Sequence, residues 1–328
     1  MKAILVTKSA GPDEFQIQEV PIPDLKGDEV LIKVKATAVN GSDLIERKRF
    51  SGESLCMGIE CSGTIEKIGE NVQKWNINDE PELQVFPLPS TTTLESAACL
   101  PYAACTVWSE LFTTSELSPF TFWLPKDGDI FRPRLSASET LLVHDDSNGI
   151  ASFAIQLAKC EGVTTFVTSS EDRRKHYGDL GVYKWVDYND FVAQEGKALG
   201  QGVDVILNVL GPGHFQRNLS CLNKGGRLIS IGDFCTNNMD SFGRLPKLAD
   251  DSLSRKLIGA AAFRHRSRVS KELIVKEVQD NVWPHIEKGM LKPSFHSKIF
   301  TFSEVKEAHQ LMESGQHFGK ILLVPDDA

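Results

Sequence analysis

Residues 139–170, ETLLVHDDSNGIASFAIQLAKCEGVTTFVTSS, constrain the fold of this chain more than any other stretch. Residues 140–143 form a short apolar strand. Gly149 punctuates a tight turn. Residues 150–159 then place Ile150, Phe153, Ala154 and Leu157 on one face at helical spacing, and residues 163–167 form a second strand. A parallel βαβ unit puts such a turn at the C-terminal end of a strand, where open α/β sheets take their ligands. The helix that follows offers unpaired N–H groups and a partial positive charge to an anion. Residues 147–151 therefore suit the pyrophosphate of a dinucleotide. The turn holds a single firm glycine, and a βαβ unit without a ligand accounts for the same residues.

The chain has 328 residues, a length that favours two domains. A hydrophobic share of 41% is enough for sizeable cores. A net charge of −8 disfavours a broad nucleic-acid surface, which needs a basic face. There is no apolar run of the ~20 residues that a membrane-spanning helix needs. The first residues, MKAILVTKSAGPDEF, lack the apolar core and cleavage site of a secretory signal. A cytoplasmic protein is expected. The seven cysteines have no paired spacing and read as reduced thiols, with Cys56 and Cys61 expected as buried free thiols rather than ligands. No metal is expected, because there is no CxxC or HExxH and the first histidine is His144.

Residues 1–79 read as β-rich. Residues 29–39 alternate Val30, Ile32 and Val34 with Lys33 and Lys35, and a further strand runs between Gly63 and Gly69. Two helical pieces follow from Leu94, the second opening on Pro101. Residues 139–262 alternate short apolar strands with helices, the pattern of a parallel sheet covered on both faces. Residues 271–288 read as helical with Trp283 and Pro284 near the end. A helix capped by Ser303 follows, and a closing strand GKILLV.

Seven blocks in order carry a resemblance: VKATAVNGSDLIERK, GIECSGTIEKIGENV, LPYAACTVWSELF, VHDDSNGIASFAIQLAK, GVDVILNVLG, NLSCLNKGGRLISIG and EAHQLMESGQHFGKILL. Together they resemble the zinc-free quinone oxidoreductase (zeta-crystallin-like) branch of the medium-chain dehydrogenase/reductase superfamily, over nearly the whole chain. The resemblance implies an α/β protein. A GroES-like β-rich catalytic domain would comprise residues 1–118 and 265–328. A Rossmann domain with a doubly wound parallel sheet would comprise residues 119–264, with a cofactor in the cleft. It also implies an NADPH-dependent homodimer that reduces a small-molecule quinone or enal, with no nucleic-acid or membrane partner. Zinc-dependent relatives place a cysteine ligand where this chain has Asn40, and a histidine where Ile59 precedes Glu60.

Quinone reduction asks little of side chains, because the nicotinamide carries the hydride and the protein need only hold it against the acceptor and exclude water. The resemblance assigns Asn40, Asp43 and Thr106 to the catalytic site, with Asn40 also at the nicotinamide. A turn after a strand explains Asn40 equally well, and a helix-interior hydroxyl bonded to its own backbone explains Thr106. Cofactor contacts are implied for Ser147, Asn148, Gly149 and Ile150 at the pyrophosphate. Asn208, Val209 and Gly211 are implied beside the adenosine, and Ile231, Gly232, Asp233, Phe234, Ala262, Phe263 and Arg264 at the nicotinamide. NAD enzymes usually end the second strand on an acid. Here Thr168 is followed by Ser169 and Ser170, then by Arg173, Arg174 and Lys175, which suit a 2′-phosphate, and the resemblance implies that Tyr188 contacts the same phosphate. A solvated helix face explains the same cations.

The chain departs from its relatives in places that bear on function. Asp145 and Asp146 stand where relatives have small residues. A carboxylate ~4 Å from a phosphate costs about 4 kcal/mol at an effective dielectric of ~20, unless its side chain points away. Ser51 stands where an active-site tyrosine is expected. The segment after Asn78 is too short for the usual strand, which would leave a sheet edge open. Residues 120–137 look inserted, either packing over that gap or forming a loop. The nicotinamide loop from Asp233 to Thr236 is also altered. A non-catalytic or regulatory dinucleotide-binding protein with a degenerate site is the alternative.

Overall fold

The computed structural model describes residues 1–7, 12–52, 55–75, 81–82, 86–113, 120–123, 134–145, 147, 149–193, 200–210, 215–231, 257–260 and 267–327. No helix among them is long and apolar enough to cross a membrane. The chain divides into two compact units, one of residues 1–104, 147–149 and 286–328, the other of residues 105–146 and 150–285. Those limits differ from the boundaries expected at 118 and 264. Glu277, on the helix Arg268–Asn281, accepts hydrogen bonds from Trp108 Nε1 at 2.6 Å and Thr113 Oγ1 at 2.8 Å, which ties both segments into the second unit.

The first unit holds two sheets. Strands β1 (Lys2–Val6), β2 (Phe15–Glu19) and β4 (Leu55–Cys56) form a small antiparallel sheet in the order β2-β1-β4. The larger sheet contains β3 (Val30–Val39), β5 (Cys61–Ile68), β6 (Pro81–Glu82), β7 (Phe86–Pro87), β15 (Phe300–Thr301) and β16 (Ile321–Val324), in the order β15-β16-β3-β5-β6-β7. In β3, Lys33 is exposed while Ala36 and Ala38 are buried at the period of two that a half-buried strand requires. Gly63 permits the close β3–β5 approach, since a Cβ there would lie 2.1 Å from the Lys33 carbonyl oxygen. After Asn78, where an open edge is expected, the described residues supply β6 and β7, two residues each, and β6 pairs with β5 only at Ser62 opposite Glu82. The closing strand β16 pairs with β3, Ile321 opposite Val39, and so returns the tail to the N-terminal sheet.

The core of this unit joins Val39, Phe300, Val305, Ala308, Met312, Ile321 and Leu323. Its helix Val305–Ser314 buries Val305, Ala308, His309 and Met312, an i, i+3, i+4, i+7 face. The cap is not Ser303, as expected from sequence. It is Thr301, whose N–H bonds Glu304 Oε2 at 2.9 Å in a capping box around a 3-10 turn, Phe302–Glu304.

The second unit holds β8 (Phe120–Trp123), β9 (Thr140–His144), β10 (Thr164–Ser169), β11 (Lys184–Asp187), β12 (Val203–Asn208), β13 (Leu222–Ser230) and β14 (Leu257–Ala260). Their order is β11-β10-β9-β12-β13-β14-β8. The first six run parallel, in the doubly wound order 3-2-1-4-5-6. The segment expected as an insertion supplies β8, which runs antiparallel to β14 with Phe120 opposite Ala260. The helix Ile150–Cys160 buries every residue from Ile150 to Ala158. Leu142, Phe166, Val186, Val203, Ile206 and Leu228 of the sheet form a core with Phe191 and Leu219 from the helices Tyr188–Ala193 and Phe215–Cys221. The helical run expected over 271–288 divides into Arg268–Asn281 and Trp283–Glu287, where Pro284 cannot donate a helical hydrogen bond.

Candidate functional site

In the first unit the helix Gly41–Arg49 starts at the end of β3, with Asn40 as its cap. Asn40 and Asp43 are both buried, and the Asn40 N–H donates to Asp43 Oδ2 at 2.7 Å. The Asn40 side chain is held on all sides. Its Nδ2 donates to Glu60 Oε1 at 2.8 Å and to the Ala38 carbonyl at 3.1 Å, and its Oδ1 accepts from Lys320 Nζ. Lys320 also donates to Glu60 Oε1 at 3.2 Å, and its ammonium lies 5.1 Å from the centre of the Tyr102 ring. Glu60 Oε2 accepts from the Tyr102 N–H at 3.0 Å. Lys320 and Glu60 are only 1% exposed at their side chains, so the ion pair has no water to lean on and survives through these added bonds. Burial pushes the Asp43 carboxyl up to about 7, against the pull of the Asn40 N–H and the Lys320 charge. Asp43 Oδ1 is buried and has no hydrogen-bond partner.

The turn after β9 lies in the same unit. Gly149 adopts φ +92°, and a Cβ there would press within 3.2 Å of Lys320 Cγ and 3.3 Å of its backbone nitrogen. Only glycine meets both demands without strain. Ser147 takes φ +68° and donates to the Gly315 carbonyl at 3.4 Å. Asn40, Asp43, Ser147 and Gly149, read separately from sequence, thus belong to one compact unit.

The second unit gathers polar groups at the C-terminal ends of its strands. His144, fully buried at the end of β9, lies between Thr168 Oγ1 at 2.6 Å and Asn218 Oδ1 at 2.8 Å. Asp145 follows, with its N–H on the Thr168 carbonyl at 3.0 Å. Its carboxylate is paired with Arg173, Nη1 to Oδ2 2.7 Å. Arg174 is exposed, bonded to Glu171 at 3.3 Å and stacked 5.0 Å over Trp185. Tyr188 opens the helix Tyr188–Ala193, half-buried, its hydroxyl pushed up by burial against the opposing charge of Arg217. Asn208 ends β12, with Nδ2 on Ser230 Oγ at 3.2 Å and Oδ1 on the Leu210 N–H at 3.2 Å; Val209 after it is half-buried. Ile150 and Ile231 are buried. Thr106 Oγ1, on the helix Pro101–Leu111, is buried with no hydrogen-bond partner, so the backbone bond expected for an ordinary helix-interior hydroxyl is not made. Asp146, Asn148, Gly211, Gly232, Asp233, Phe234, Ala262, Phe263 and Arg264 lie outside the described residues.

Sequence reasoning missed Lys320, Glu60 and Tyr102 as members of the Asn40 cluster. The available signal was a lone lysine opening the apolar run ILLV. It also missed Arg47, fully buried, which bonds His309 Nδ1 at 3.0 Å and Glu313 Oε1 at 2.6 Å. Burial and the Arg47 charge hold His309 down at about 3. Cys56 is exposed and Cys61 half-buried, not buried as expected, and neither is in a disulfide. Among the described residues no group of three or more His, Cys, Asp or Glu is placed to hold a metal ion.

The residues fit a nicotinamide dinucleotide. A helix N-terminus follows a left-handed glycine turn, the buried Thr106 hydroxyl and one Asp43 carboxyl oxygen lack hydrogen-bond partners, and the Asp145 carboxylate is engaged by a cation. Residues 26–109 match the alcohol dehydrogenase GroES-like domain, and residues 180–323 match the family described as zinc-binding dehydrogenase. The squalestatin tetraketide synthase clz2 of Cochliobolus lunatus is 27% identical over 96% of this chain, and the VAT-1 homolog synaptic vesicle membrane protein of Danio rerio is 24% identical over 99%. The chain spans 12% of the length of the first and 70% of the second. Among solved structures, the human VAT-1 homolog-like protein has a TM-score of 0.79 at 22% identity, covering 100% of this chain and 99% of that one. The CurK enoyl reductase has a TM-score of 0.79 at 21% identity, covering 99% of each. The Escherichia coli quinone oxidoreductase, solved with NADPH, has a TM-score of 0.76 at 20% identity, covering 99% of this chain and 100% of that one. A GroES-like domain and a Rossmann-like parallel-sheet domain, matched in chain order, place the chain in the medium-chain dehydrogenase/reductase superfamily.

Proposed function

We propose that this oxidoreductase uses NADPH to reduce quinones or conjugated carbonyls by hydride transfer without a metal. The observation that carries this reading is the turn after β9. It leaves the central strand where the sheet order reverses between β10 and β12, the point at which doubly wound sheets receive a dinucleotide. Bound NADPH would supply the hydride. Residues 147–150 would hold the pyrophosphate at the helix N-terminus. Asn40 is locked by Lys320 and Glu60, so it acts as a rigid wall for the nicotinamide rather than as a moving ligand. Asp43, which holds its proton to about pH 7, would supply one to the oxygen that gains charge when the acceptor is reduced, and the family resemblance assigns Thr106 to the nicotinamide.

Two solved relatives support the acceptor class, one described as a quinone oxidoreductase with NADPH and one as an enoyl reductase. Both chemistries add hydride to a carbon conjugated with a carbonyl, so a single arrangement serves either. A cytoplasmic homodimer accompanies the reading. The test is NADPH oxidation followed with an ortho-quinone, an enal and an enoyl thioester. Turnover with at least one, unaffected by chelators and lowered at least tenfold in Asp43→Asn, is the expected result. Binding without turnover would leave only a dinucleotide-binding scaffold, and absence of binding would end the reading.

A further inference from the structure

We propose that Glu60 and Lys320 are positioning residues for proton delivery: by clamping Asn40 they tie down Oδ2 of Asp43 and leave Oδ1 as the oxygen that hands a proton to the reduced acceptor. The inference rests on the hydride-transfer reading above and adds the oxygen that acts and the pair that holds it. All four residues lie in the first unit. The Asn40 amide can face only one way. Lys320 has donors and no acceptor, so its ammonium takes Oδ1 of the amide. Glu60 Oε1 at 2.8 Å and the Ala38 carbonyl at 3.1 Å only accept, so they take the two Nδ2 hydrogens.

Asn40 passes its placement to Asp43 through the backbone. Its N–H donates to Asp43 Oδ2 at 2.7 Å, and the Asp43 N–H returns to the Asn40 carbonyl at 2.9 Å. A protonated carboxyl has one oxygen that carries the hydrogen and one better suited to accept. Oδ2 accepts, so the proton belongs on Oδ1, which is buried without a hydrogen-bond partner in a residue only 3% exposed. Among the described residues nothing accepts from that O–H, which leaves it for a bound acceptor. Hydride addition to a carbon conjugated with a carbonyl sends a π electron pair to the carbonyl oxygen. The Oδ1–H bond then breaks, its electron pair stays on Asp43, and a new O–H bond forms on the acceptor. Water restores the proton after product release. The carboxylate left behind feels the charges of Glu46, on the same helix, of Glu60 and of Lys320. Of these three, only the Lys320 ammonium attracts it.

The direction of a shift separates this role from a merely structural one. NADPH turnover of the full chain should fall above about pH 7, where Asp43 loses its proton. Lys320→Met removes an attractive charge and should move that limb up by about 0.5 pH unit or more, and Glu60→Gln removes a repulsive one and should move it down by as much. General loss of structure moves both limbs the same way or neither. Carbon-13 NMR of labelled aspartate carboxyls reads the same shifts without coenzyme, with the Asp43 signal assigned by its absence from Asp43→Asn. Thermal melts confirm folding. If the single variants do not fold, Lys320→Met with Glu60→Gln still decides, because both charges leave together. Its limb should stay within about 0.3 pH unit of wild type, while kcat falls about fivefold and KM for NADPH changes less than about threefold, since Asn40 Oδ1 has lost its donor. Wild-type turnover with limbs that stay put or move together, or a double variant with wild-type kcat, would overturn this proposal and leave the hydride-transfer reading standing. No turnover by wild type would end both, whatever the carbon signals do.

Discussion

The two units use buried charge in different ways. In the first, Asp43, Arg47, Glu60, His309 and Lys320 are all inside, and each is placed by its partners. In the second, the sheet core is apolar, and two buried charged residues outside that core are paired, Asp145 with Arg173 and Arg227 with Glu139 at 2.5 Å. An interior ion pair is worth little against a well-packed apolar substitute, yet losing one member leaves a charge with nowhere to go. The first unit should therefore fail when a partner is removed, and the second when volume is removed.

The largest effect expected on this contrast comes from Lys320→Met. It leaves the Glu60 carboxylate buried beside Asn40 with its countercharge gone, at a cost of about 3–5 kcal/mol. Adding Glu60→Gln should return much of that loss, since both charges then disappear together. A thermal melt of the single variant matching wild type would show that the pair is not what fixes the site. Next comes Leu142→Ala, in the second unit. Leu142 is fully buried in the sheet core, and its truncation should cost about 3 kcal/mol through lost burial and the cavity left behind. No second substitution at a charged residue should rescue it. Urea denaturation midpoints compare the two cases directly, and rescue of Leu142→Ala by a charge change would dissolve the distinction.

A smaller and sharper test uses pH. The Asp43 carboxyl is held at about 7, well above its ordinary 3.8. Between those values the folded chain keeps a proton that the unfolded chain releases, so this group makes stability fall as pH rises from about 4 to about 7. His309 is held at about 3, below its ordinary 6.5. There the unfolded chain takes a proton that the folded chain refuses, so stability falls as pH drops from about 6.5 to about 3. From about pH 4 to 6.5 the two slopes oppose each other, and the wild-type profile should be nearly flat. Asp43→Asn should expose a loss on acidification of up to about 1.4 kcal/mol per pH unit, and His309→Gln a gain of the same order. Gln at position 309 keeps an acceptor for Arg47. Flat profiles in both variants would mean that neither group is as dry as its surroundings imply.

The same contrast explains what the sequence could tell. The βαβ unit and the parallel sheet were legible because each strand and helix carries its own periodicity within ten or so residues, as Ile150, Phe153, Ala154 and Leu157 do. The Asn40 cluster was not. Lys320 meets Asn40 across 280 positions and Glu60 across 260, and no local pattern marks such a contact. Asp145 and Arg173 were both singled out, but as separate influences on two phosphates of a ligand. Only the register of β9 against β10 reveals that they meet each other. Strand β8 was visible as an aromatic insertion, while its place at the sheet edge depends on β14, more than 130 residues away.

The smallest expected effect concerns the start of the helix Val305–Ser314, which carries His309 and so supports the first unit's buried charges. A serine at position 303 looks like the natural cap when only the helical face is counted. The chain instead inserts a 3-10 turn and caps it one turn earlier at Thr301, whose N–H is taken by Glu304. Lys298 bonds the other Glu304 oxygen at 2.9 Å, and the two donors hold the Glu304 carboxyl below the usual carboxylate range. Removing the hydroxyl in Thr301→Ala unties one half of the box and should cost about 1 kcal/mol, whereas Ser303→Ala, with no capping duty, should cost less than about 0.5. Equal losses at the two positions would return the cap to Ser303. A loss at Thr301 alone shows that the unit built on buried charges also depends on a half-buried capping box to set the helix from which His309 meets Arg47.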